Sequence, residues 1–219
     1  MKKTNSKNEK MLTIVCTLAL SISSLFLSSA QADDKHSHRL SVVGMADFYT
    51  PSLDNNNSGI TGLANSANVG WGAGVLGETA LAGPIGIEAG LLFAHRQNKT
   101  AGTFFTVPYE YTVASNWIML PVAAKFRFAE MFSVGVGPYL AYRLGDATRT
   151  GSVGDLGALT ANTADQNNLE FGLFASASVT IPVSDSAGIL VEGRYMRGLS
   201  NIAKDSSFDI KSADIMAIA

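Results

Sequence analysis

The sequence predicts an all-β fold, an eight-stranded antiparallel up-and-down transmembrane β-barrel, from three observations. Residues 39–219 divide into segments of about ten residues with apolar side chains at every second position, the period of a β-strand. Short turns and long polar connections alternate between these segments, and charged residues recur on the parity opposite the apolar one. A strand with one face in lipid and the other in a polar lumen needs this combination, and closing the sheet leaves no backbone edge in lipid.

Eight segments carry the alternation, and each is predicted to be one strand of the barrel. In chain order they are Leu40–Tyr49, Val69–Ala82, Ile85–Arg96, Asn116–Phe128, Phe132–Leu144, Leu169–Pro182, Ile189–Gly198 and Ile210–Ala219. Within each strand the apolar parity is predicted to face lipid. In the first four strands these residues are Leu40, Val42, Ala46 and Phe48; Trp71, Ala73, Val75 and Leu81; Ile87, Ala89, Leu91 and Phe93; and Ile118, Leu120, Val122, Ala124, Phe126 and Phe128, the clearest alternation in the chain. In the last four they are Phe132, Val134, Val136, Leu140 and Tyr142; Phe171, Leu173, Ala175, Ala177, Val179 and Ile181; Ile189, Val191 and Tyr195; and Ala213, Ile215, Ala217 and Ala219.

The connections between the strands alternate in length. The short ones are Gly83–Pro84, residues 129–131 and Ser184–Gly188. The long, polar ones are residues 50–67, 97–113 and 145–168, with a further connection around 201–207. In outer-membrane barrels the short turns face the periplasm and the long loops face the exterior. The N-terminus is therefore predicted on the periplasmic side, and an even strand number returns the C-terminus there.

Nine charged residues on the lumen parity are predicted to form a structural charge network. They are Asp47, Glu78, Glu88, Lys125, Arg127, Arg143, Glu192, Arg194 and Asp214. Arg96 and Glu170 share the parity but are predicted at the outer strand ends and are left out of the network. Because eight strands enclose an interior just wide enough for side chains, the charges should pair with one another. Lys125 or Arg127 is the natural counter-ion for the two glutamates that flank the Gly83–Pro84 turn.

A water-soluble, lipocalin-like barrel is the alternative fold. Such a barrel would place its apolar residues inside. Here the inward parity reads as Gly, Ser, Glu, Lys and Arg, which cannot form the core of a water-soluble barrel without a large desolvation cost. The sequence therefore favours the membrane barrel.

The first 32 residues have the features of a cleaved secretory signal. Lysines 2, 3, 7 and 10 form a basic start, Leu12–Leu27 is mostly apolar, and Ala30–Ala32 is a small-x-small cleavage site. The only cysteine, Cys16, lies in this segment, so the mature chain is predicted to hold no disulfide or thiolate site. Without the signal, 12 basic and 17 acidic residues remain, a net charge of −5 with no basic cluster, which argues against a nucleic-acid partner. Residues 33–38 are predicted to form a short periplasmic tail before a single barrel domain, 39–219.

Three stretches resemble small outer-membrane β-barrel proteins of the porin-like superfamily, the eight-stranded OmpA- and OmpX-like barrels. Asn116–Phe128 resembles their aromatic-x-x-x-Pro-x-x-x-Lys-aromatic strand, and Gly137–Tyr142 resembles the strand that follows. Arg194–Ile202 resembles the penultimate strand and its outgoing loop. The chain departs from the family at Met216–Ala219, because such barrels usually finish on an aromatic residue that the assembly machinery reads.

The resemblance implies an integral outer-membrane barrel, monomeric and without a cofactor. Its implied partners are outer-membrane lipid and lipopolysaccharide, periplasmic chaperones and the barrel-assembly machinery. It implies little about activity, because this fold serves adhesins, stabilisers, small pores and lipid enzymes. A structural or surface-recognition role is expected, with a small diffusion pore or a lipid-modifying enzyme as alternatives.

The residues that an enzyme would need are sparse. A lipid-modifying barrel enzyme would need a histidine paired with a serine or an acid at the outer rim. His36 and His38 are predicted in the periplasmic tail, and His95 lies on the lipid-facing parity, where an interfacial histidine is expected. Metal-ligand clusters, phosphate loops and the Gly-x-Ser-x-Gly motif do not occur in the sequence. The sequence therefore predicts no catalytic residue, metal site or cofactor.

One predicted loop is unusually aromatic. Residues 104–111 include Phe104, Phe105, Tyr109 and Tyr111, where an external loop should be polar. The run either extends its two neighbouring strands into a protruding hairpin suited to recognition or forms an aromatic girdle at the headgroup level. The sequence leaves both readings open and names no ligand.

Overall fold

The computed structural model describes residues 38–54, 64–104, 107–128, 131–153, 158–163, 167–184, 187–201 and 209–219. Its strands are β1 (His38–Tyr49), β2 (Ser52–Asp54), β3 (Ala64–Ala82), β4 (Ile85–Phe104), β5 (Val107–Arg127), β6 (Phe132–Val153), β7 (Ala158–Thr163), β8 (Leu169–Ser184), β9 (Ala187–Gly198), β10 (Asp209–Lys211) and β11 (Ala213–Ile218). The predicted signal with Cys16 lies outside the described residues, as does His36. Across the described ranges, no helix has the length and apolar character to span a membrane.

Eight strands close into a ring. Strands β1, β3, β4, β5, β6, β8, β9 and β11 each pair antiparallel with the next of the eight along the chain. The ring closes where β11 pairs with β1, with Met45 opposite Ile218 and Tyr49 opposite Asp214. The predicted all-β, eight-stranded, antiparallel up-and-down barrel is confirmed. His38, predicted in the tail, is instead the first residue of β1 and lies opposite Thr79.

Side-chain exposure alternates along the ring strands as the apolar parity predicts. On β1 the outward Leu40 and Val42 are 75% and 84% exposed, whereas the inward Met45 and Asp47 are buried. The same alternation runs through β8 and β9. Three residues of the predicted lipid parity are nevertheless buried: Ala89, Leu120 and Tyr142. Each lies opposite another apolar residue of the outer face, as Ala89 does opposite Val122, so neighbouring side chains reduce its exposure.

The predicted Gly83–Pro84 turn forms at one end of the ring, whereas residues 129–130 and 185–186 of the other two predicted short turns lie outside the described residues. Ala82 pairs with Ile85 across the Gly83–Pro84 turn, and Gly83 has a φ of 54°, a left-handed conformation that favours glycine. Pro84 also accepts a backbone hydrogen bond of 2.8 Å from Arg127, which ties this turn to the end of β5.

Two of the predicted long connections are wrong, because most of their residues form strands. Residues 97–104 continue β4, residues 107–113 belong to β5, and residues 145–153 continue β6, which then pairs with β7. The outer parts of β3, β4, β5 and β6, together with β7, form what we call the projecting sheet. A smaller ribbon continues the β1–β11 seam in the same direction, where β2 pairs with β10.

Bulges mark the level at which the projecting sheet leaves the ring. Asn116 of β5 pairs with Leu144 of β6, and Ala114 pairs with Thr148. The same stretch of ladder therefore takes two residues of β5 and four residues of β6. Gly145 lies in this irregularity with a φ of 72°. A second bulge lies on β3 between Asn68 and Trp71. Because bulges bend and re-aim strands, the projecting sheet departs from the curvature of the ring at this level.

The interior of the ring is more apolar than the sequence predicts. A cluster of buried apolar side chains faces inward between the charged residues: Val43, Met45, Leu76, Leu92, Ala94, Trp117, Met119, Ala123, Tyr139, Ala141, Phe174, Met196, Met216 and Ile218. The prediction of a lumen parity made of glycine, serine and charges therefore misses these residues. They share the parity of the charges, and the alternation argument had weighed only the polar members.

Candidate functional site

The interior of the ring buries most of the predicted network. Eight of its nine charged residues are buried, and Arg127 is partly exposed at the end of β5. The structure arranges the buried charges into two separate clusters and places an ion pair and a hydrogen bond near the end that carries the short turns. Each group is described in turn, beginning near that end.

The first cluster consists of Glu88, Lys125, Glu192 and Arg194, and we call it the four-charge cluster. The Lys125 ammonium lies 2.9 Å from Glu88 and 2.6 Å from Glu192. The Arg194 guanidinium lies 2.7 Å from Glu88 and also pairs with Glu192. Each acid thus contacts both bases, so the cluster is neutral and links β4, β5 and β9. Such mutual pairing is what a buried set of charges requires.

Neighbouring side chains complete the four-charge cluster. The ring of Phe174 lies 4.5 Å from the Arg194 guanidinium carbon, in cation–π geometry. Lys125 also donates a weak hydrogen bond of 3.4 Å to the Ser176 hydroxyl. Both residues belong to β8, so the cluster contacts four strands of the ring.

The second cluster corrects the predicted network, which leaves out Arg96 and Glu170. Arg96 is fully buried, and its guanidinium lies 2.5 Å from Asp214, 3.3 Å from Glu170 and 3.6 Å from Asp47. These four residues, the Arg96 cluster, join β4 to β1, β8 and β11. The cluster sets three carboxyl groups against one guanidinium.

Aromatic rings enclose the Arg96 guanidinium on two sides. The rings of Tyr49 and Trp117 lie 5.2 Å and 5.1 Å from its central carbon. Glu170 accepts hydrogen bonds from the hydroxyl of Tyr139 and from that of Ser212. The prediction misplaced Arg96 because β4 continues for eight further residues, to Phe104. Its lumen parity was recognised in the sequence, and only the length of β4 was missed.

The end of the ring with the short turns is crossed by polar contacts. Glu78 lies opposite Glu88 in the ladder, and its carboxylate pairs with Arg127 at 2.8 Å. Arg39 on β1 donates a 2.9 Å hydrogen bond to Thr180 on β8, a strand that is not its ladder neighbour. Of the two glutamates that flank the Gly83–Pro84 turn, Glu78 thus pairs with Arg127 and Glu88 pairs with Lys125. The buried Arg143 donates instead to Asn168, at 2.8 Å, toward the opposite end of the ring.

The aromatic residues of the predicted recognition loop belong to a hairpin of the projecting sheet. Phe104 ends β4 opposite Val107, Phe105 lies outside the described residues, and Tyr109 and Tyr111 are on β5. Of the two readings left open by the sequence, the strand continuation is the one the structure contains. Tyr109 and Tyr111 share the parity of Trp117, so their face of the sheet continues the inner face of the ring.

These tyrosines and an arginine make a compact surface. The rings of Tyr109 and Tyr111 are nearly parallel, at 11°, with centroids 6.1 Å apart. The Arg149 guanidinium, from β6, lies 4.6 Å from the Tyr111 ring centroid. On the other parity of the hairpin, Lys99 and Glu110 form a salt bridge of 2.8 Å.

The histidine near the outer end of the ring has both ring nitrogens engaged. His95 Nδ1 lies 2.7 Å from the Asn116 amide oxygen, and its Nε2 lies 2.9 Å from the Gln97 amide nitrogen. Since an amide oxygen only accepts and an amide nitrogen only donates, these two contacts fit the tautomer that donates from Nδ1 and accepts at Nε2. The Trp71 ring lies 5.8 Å away. This arrangement suits an interfacial residue, and the described residues hold no group of His, Cys, Asp and Glu fit for a metal.

Comparison with known proteins gives a family match over most of the chain. The profile of the outer membrane protein beta-barrel domain matches residues 29–204. No curated protein matches the sequence. Among solved structures, the attachment invasion locus protein Ail of Yersinia pestis is 11% identical, with 83% of this chain and 95% of that chain covered and a TM-score of 0.39. Neisserial surface protein A is 12% identical, with coverages of 82% and 96% and a TM-score of 0.35. At such TM-scores, family membership rests on the profile match.

Proposed function

Because the chain belongs to the outer membrane protein beta-barrel domain family, we propose that its ring is a closed anchor that displays the projecting sheet for recognition outside the cell. The family places the protein in the outer membrane. The proposed role has two parts, an interior that does not conduct and an external surface that binds.

The length of the middle strands is the observation that carries the proposal. Strands β4, β5 and β6 have 20, 21 and 22 residues. About 9–11 residues suffice for a tilted strand to cross the bilayer. Roughly ten residues of each strand therefore extend past the membrane, about 30 Å of sheet at about 3.3 Å per residue. Because the short turns lie at the other end, the loop rule places this sheet outside the cell.

The buried clusters support a closed interior. The four-charge cluster and the Arg96 cluster are eight residues apart along β4, at Glu88 and Arg96, and buried apolar side chains fill the level between them. Eight strands leave an interior only wide enough for side chains. A conducting path would therefore have to separate paired charges and the apolar layer.

A small diffusion pore is the second candidate, and one observation favours it. Several buried polar atoms have no hydrogen-bond partner among the described residues, namely both carboxylate oxygens of Asp47, Asp214 Oδ1 and Arg194 Nη1. Buried polar atoms of this kind are where water binds inside proteins. A chain of such waters would be the start of a polar path.

Conductance of the refolded full-length protein in a planar bilayer separates the two candidates. A closed anchor gives no steady current, whereas a pore gives steps comparable to a general porin, and that result would overturn the closed interior. A general porin reconstituted in the same bilayer is the positive control for conductance.

Binding to host cells or surfaces by bacteria that display the protein tests the second part. Deleting residues 103–110 removes the tip of the β4–β5 hairpin and should abolish that binding while the ring still folds. Replacing the same residues with an equally long Gly-Ser segment is the matched control for length. Binding that persists in both variants would show that the hairpin is not the recognition element.

A further inference from the structure

The Arg96 cluster contains more acid than base. The three carboxyl groups of Asp47, Glu170 and Asp214 lie against the single guanidinium of Arg96, and all four side chains are fully buried. With every group ionised, three negative charges face one positive charge, whereas the four-charge cluster sets two against two. An uncompensated buried charge is very costly, and a carboxyl group in such a place binds a proton instead. The surplus of acid is therefore the first sign of a proton site.

Two of the three carboxyl groups have hydrogen-bond donors. Glu170 Oε1 accepts hydrogen bonds from the hydroxyls of Tyr139, at 2.5 Å, and Ser212, at 2.7 Å. Its Oε2 lies 3.3 Å from the Arg96 guanidinium. Asp214 Oδ2 accepts a hydrogen bond of 2.5 Å from Arg96. In each contact the carboxyl group acts as an acceptor, which is the role of an ionised carboxylate.

Asp47 has no donor of this kind. Its Oδ2 lies 3.6 Å from Arg96 Nε, too far for a hydrogen bond, and neither of its oxygens has a hydrogen-bond partner among the described residues. Asp214 Oδ1 is another buried oxygen of the cluster that lacks a donor there. A proton on Asp47 removes one negative charge and turns an unpaired acceptor into a donor for such an oxygen. Asp47 is therefore the member of the cluster that best fits a bound proton.

The surroundings of Asp47 come from several strands of the ring. Its ladder neighbours, Gly70 on β3 and Met216 on β11, have no ionisable side chain. The titratable and charged groups that act on the cluster are Tyr49 on β1, Arg96 on β4, Tyr139 and Arg143 on β6, Glu170 on β8 and Asp214 on β11. Among the described residues, Arg96 is the one cation in ion-pair contact with Asp47. The same part of the chain holds no group of side chains placed to bind a metal ion, so a proton is the cation that the site fits.

We propose that the Arg96 cluster is a proton-binding site, in which Asp47 holds one proton when the ring is closed. The site is completed at the seam, because Asp47 lies on β1 and Asp214 on β11. In the unfolded chain the Asp47 carboxyl lies in water and gives up its proton above about pH 4. Closure of the ring above that pH therefore takes one proton from the solvent, and opening returns it. The inference concerns the anchor and is independent of the proposed recognition outside the cell.

The stability of the barrel should therefore fall as the pH rises. While the folded protein keeps a proton that the unfolded chain has lost, each unit of pH lowers the ratio of folded to unfolded protein about tenfold. Urea titration of the full-length protein in lipid vesicles, at several values from about pH 5 to about pH 8, measures this ratio. Histidines titrate over the same range, so the wild-type curve has to be compared with that of a variant at Asp47.

Asp47→Asn keeps the shape of the side chain and cannot bind the proton. The pH dependence of its stability should be weaker than that of the wild type by up to about tenfold per unit of pH. Asp146→Asn, the same change at an exposed position of β6, is the matched control and should keep the wild-type dependence. An identical pH dependence in the wild type and in Asp47→Asn would overturn the proposal.

Infrared spectroscopy detects the proton directly and does not depend on whether a variant folds. The carbonyl stretch of a protonated carboxyl group absorbs apart from the carboxylate bands and shifts in deuterated water. The folded wild type at about pH 7, in a detergent without ester groups, should show this band, and the thermally unfolded protein should lack it. A folded wild type without the band would overturn the proposal.

Two further outcomes identify another occupant. A band that persists in Asp47→Asn and disappears in Asp214→Asn would place the proton on Asp214 and overturn the assignment to Asp47. A loss of stability when a chelator removes divalent ions would assign the neutralising charge to a metal ion and overturn the proton site. Binding by the external hairpin is measured separately, so the proposed function stands or fails by its own test.

Discussion

At the scale of single residues, the ring interior depends on arginines that each hold more than one carboxylate. Arg194 contacts Glu88 and Glu192, and Arg96 contacts Asp47, Glu170 and Asp214. Removing one partner of a buried pair leaves an uncompensated charge, which costs far more than losing an exposed pair. The loss of a buried arginine should therefore lower the free energy of unfolding much more than the loss of an exposed one.

Arg194→Ala should destabilise the barrel by about 3–5 kcal/mol, because it leaves the two glutamates of the four-charge cluster with Lys125 alone. Arg149→Ala, at an exposed position of the projecting sheet, is the control and should cost about 1 kcal/mol or less. Urea titration of the protein refolded in lipid vesicles measures both. Equal losses would mean that the four-charge cluster does not contribute as a buried network.

Arg96→Leu should have an effect at least as large, since three carboxyl groups then lie buried without a cation. The double variant Arg96→Leu with Asp214→Leu removes one of those carboxyl groups together with the cation and should recover part of the loss. A double-mutant cycle in the same urea titration gives the coupling between the two residues. Strictly additive losses would contradict the contact between them.

Val122→Arg tests the lipid face. Val122 lies mid-strand on β5 and points outward, so an arginine there should cost about 2–4 kcal/mol, whereas a charge near the rim costs about 0–1. Val183→Arg, close to the end of β8, is the matched rim variant. A neutral result at Val122 would show that this side chain does not meet lipid.

The odd or even position of a residue along its strand was enough to predict most of the interior charges. A strand that separates lipid from lumen has to point successive side chains to opposite sides. This parity identified Asp47, Glu88 and Arg194 without any knowledge of their partners. It could not reveal which charge meets which, since Arg96 and Asp214 are 118 positions apart and only ring closure brings them together. The prediction also left out inward methionines such as Met196, because apolar residues were not expected at positions that face a polar lumen.

At the scale of elements, the same strands continue from the membrane-spanning ring into the projecting sheet, so one hydrogen-bonded ladder runs through lipid and then through the aqueous exterior. Inside the membrane the outward residues of the strands are apolar, whereas beyond the bulges near Gly145 and Asn68 the outward residues of β4 and β5, such as Lys99 and Glu110, are polar. The outward face no longer has to be apolar beyond the lipid, so strict alternation of apolar and polar residues is not required. This is why the sequence pattern reads residues 97–113 and 145–153 as loops. Only the aromatic run around Tyr109–Tyr111 indicated that strands continue.

Removing residues 103–110 should leave the ring intact, because the deletion shortens strands only beyond the bulges and leaves every ring pairing in place. The heat-modifiable shift in gel migration, which reports a closed barrel, should be unchanged. Deleting Ala213–Ile218, which supplies the seam with β1, is the contrasting variant and should abolish the shift. Loss of the shift in the hairpin deletion would mean that the projecting sheet is needed for closure.

At the scale of the whole molecule, the protein is an outer-membrane barrel with a lipid-facing outer surface. Cell fractionation should recover it in the outer membrane, with cleavage after Ala32 shown by N-terminal sequencing. A mature protein found soluble in the periplasm would contradict the location, and an N-terminus other than Asp33 would contradict the cleavage site. A variant with Ala30→Leu, which spoils the small-x-small pattern, should accumulate with its signal attached.

The β1–β11 seam has a consequence for the time course of assembly. The two strands that close the ring come from opposite ends of the domain, with Met45 opposite Ile218. Until the last strand arrives, the first has an unpaired edge, and every contact of the Arg96 cluster with β11 is missing. Pairings between such distant residues are slow to form, and unpaired edges are prone to aggregate meanwhile. The interval in which the barrel is prone to aggregate therefore lasts until β11 pairs with β1.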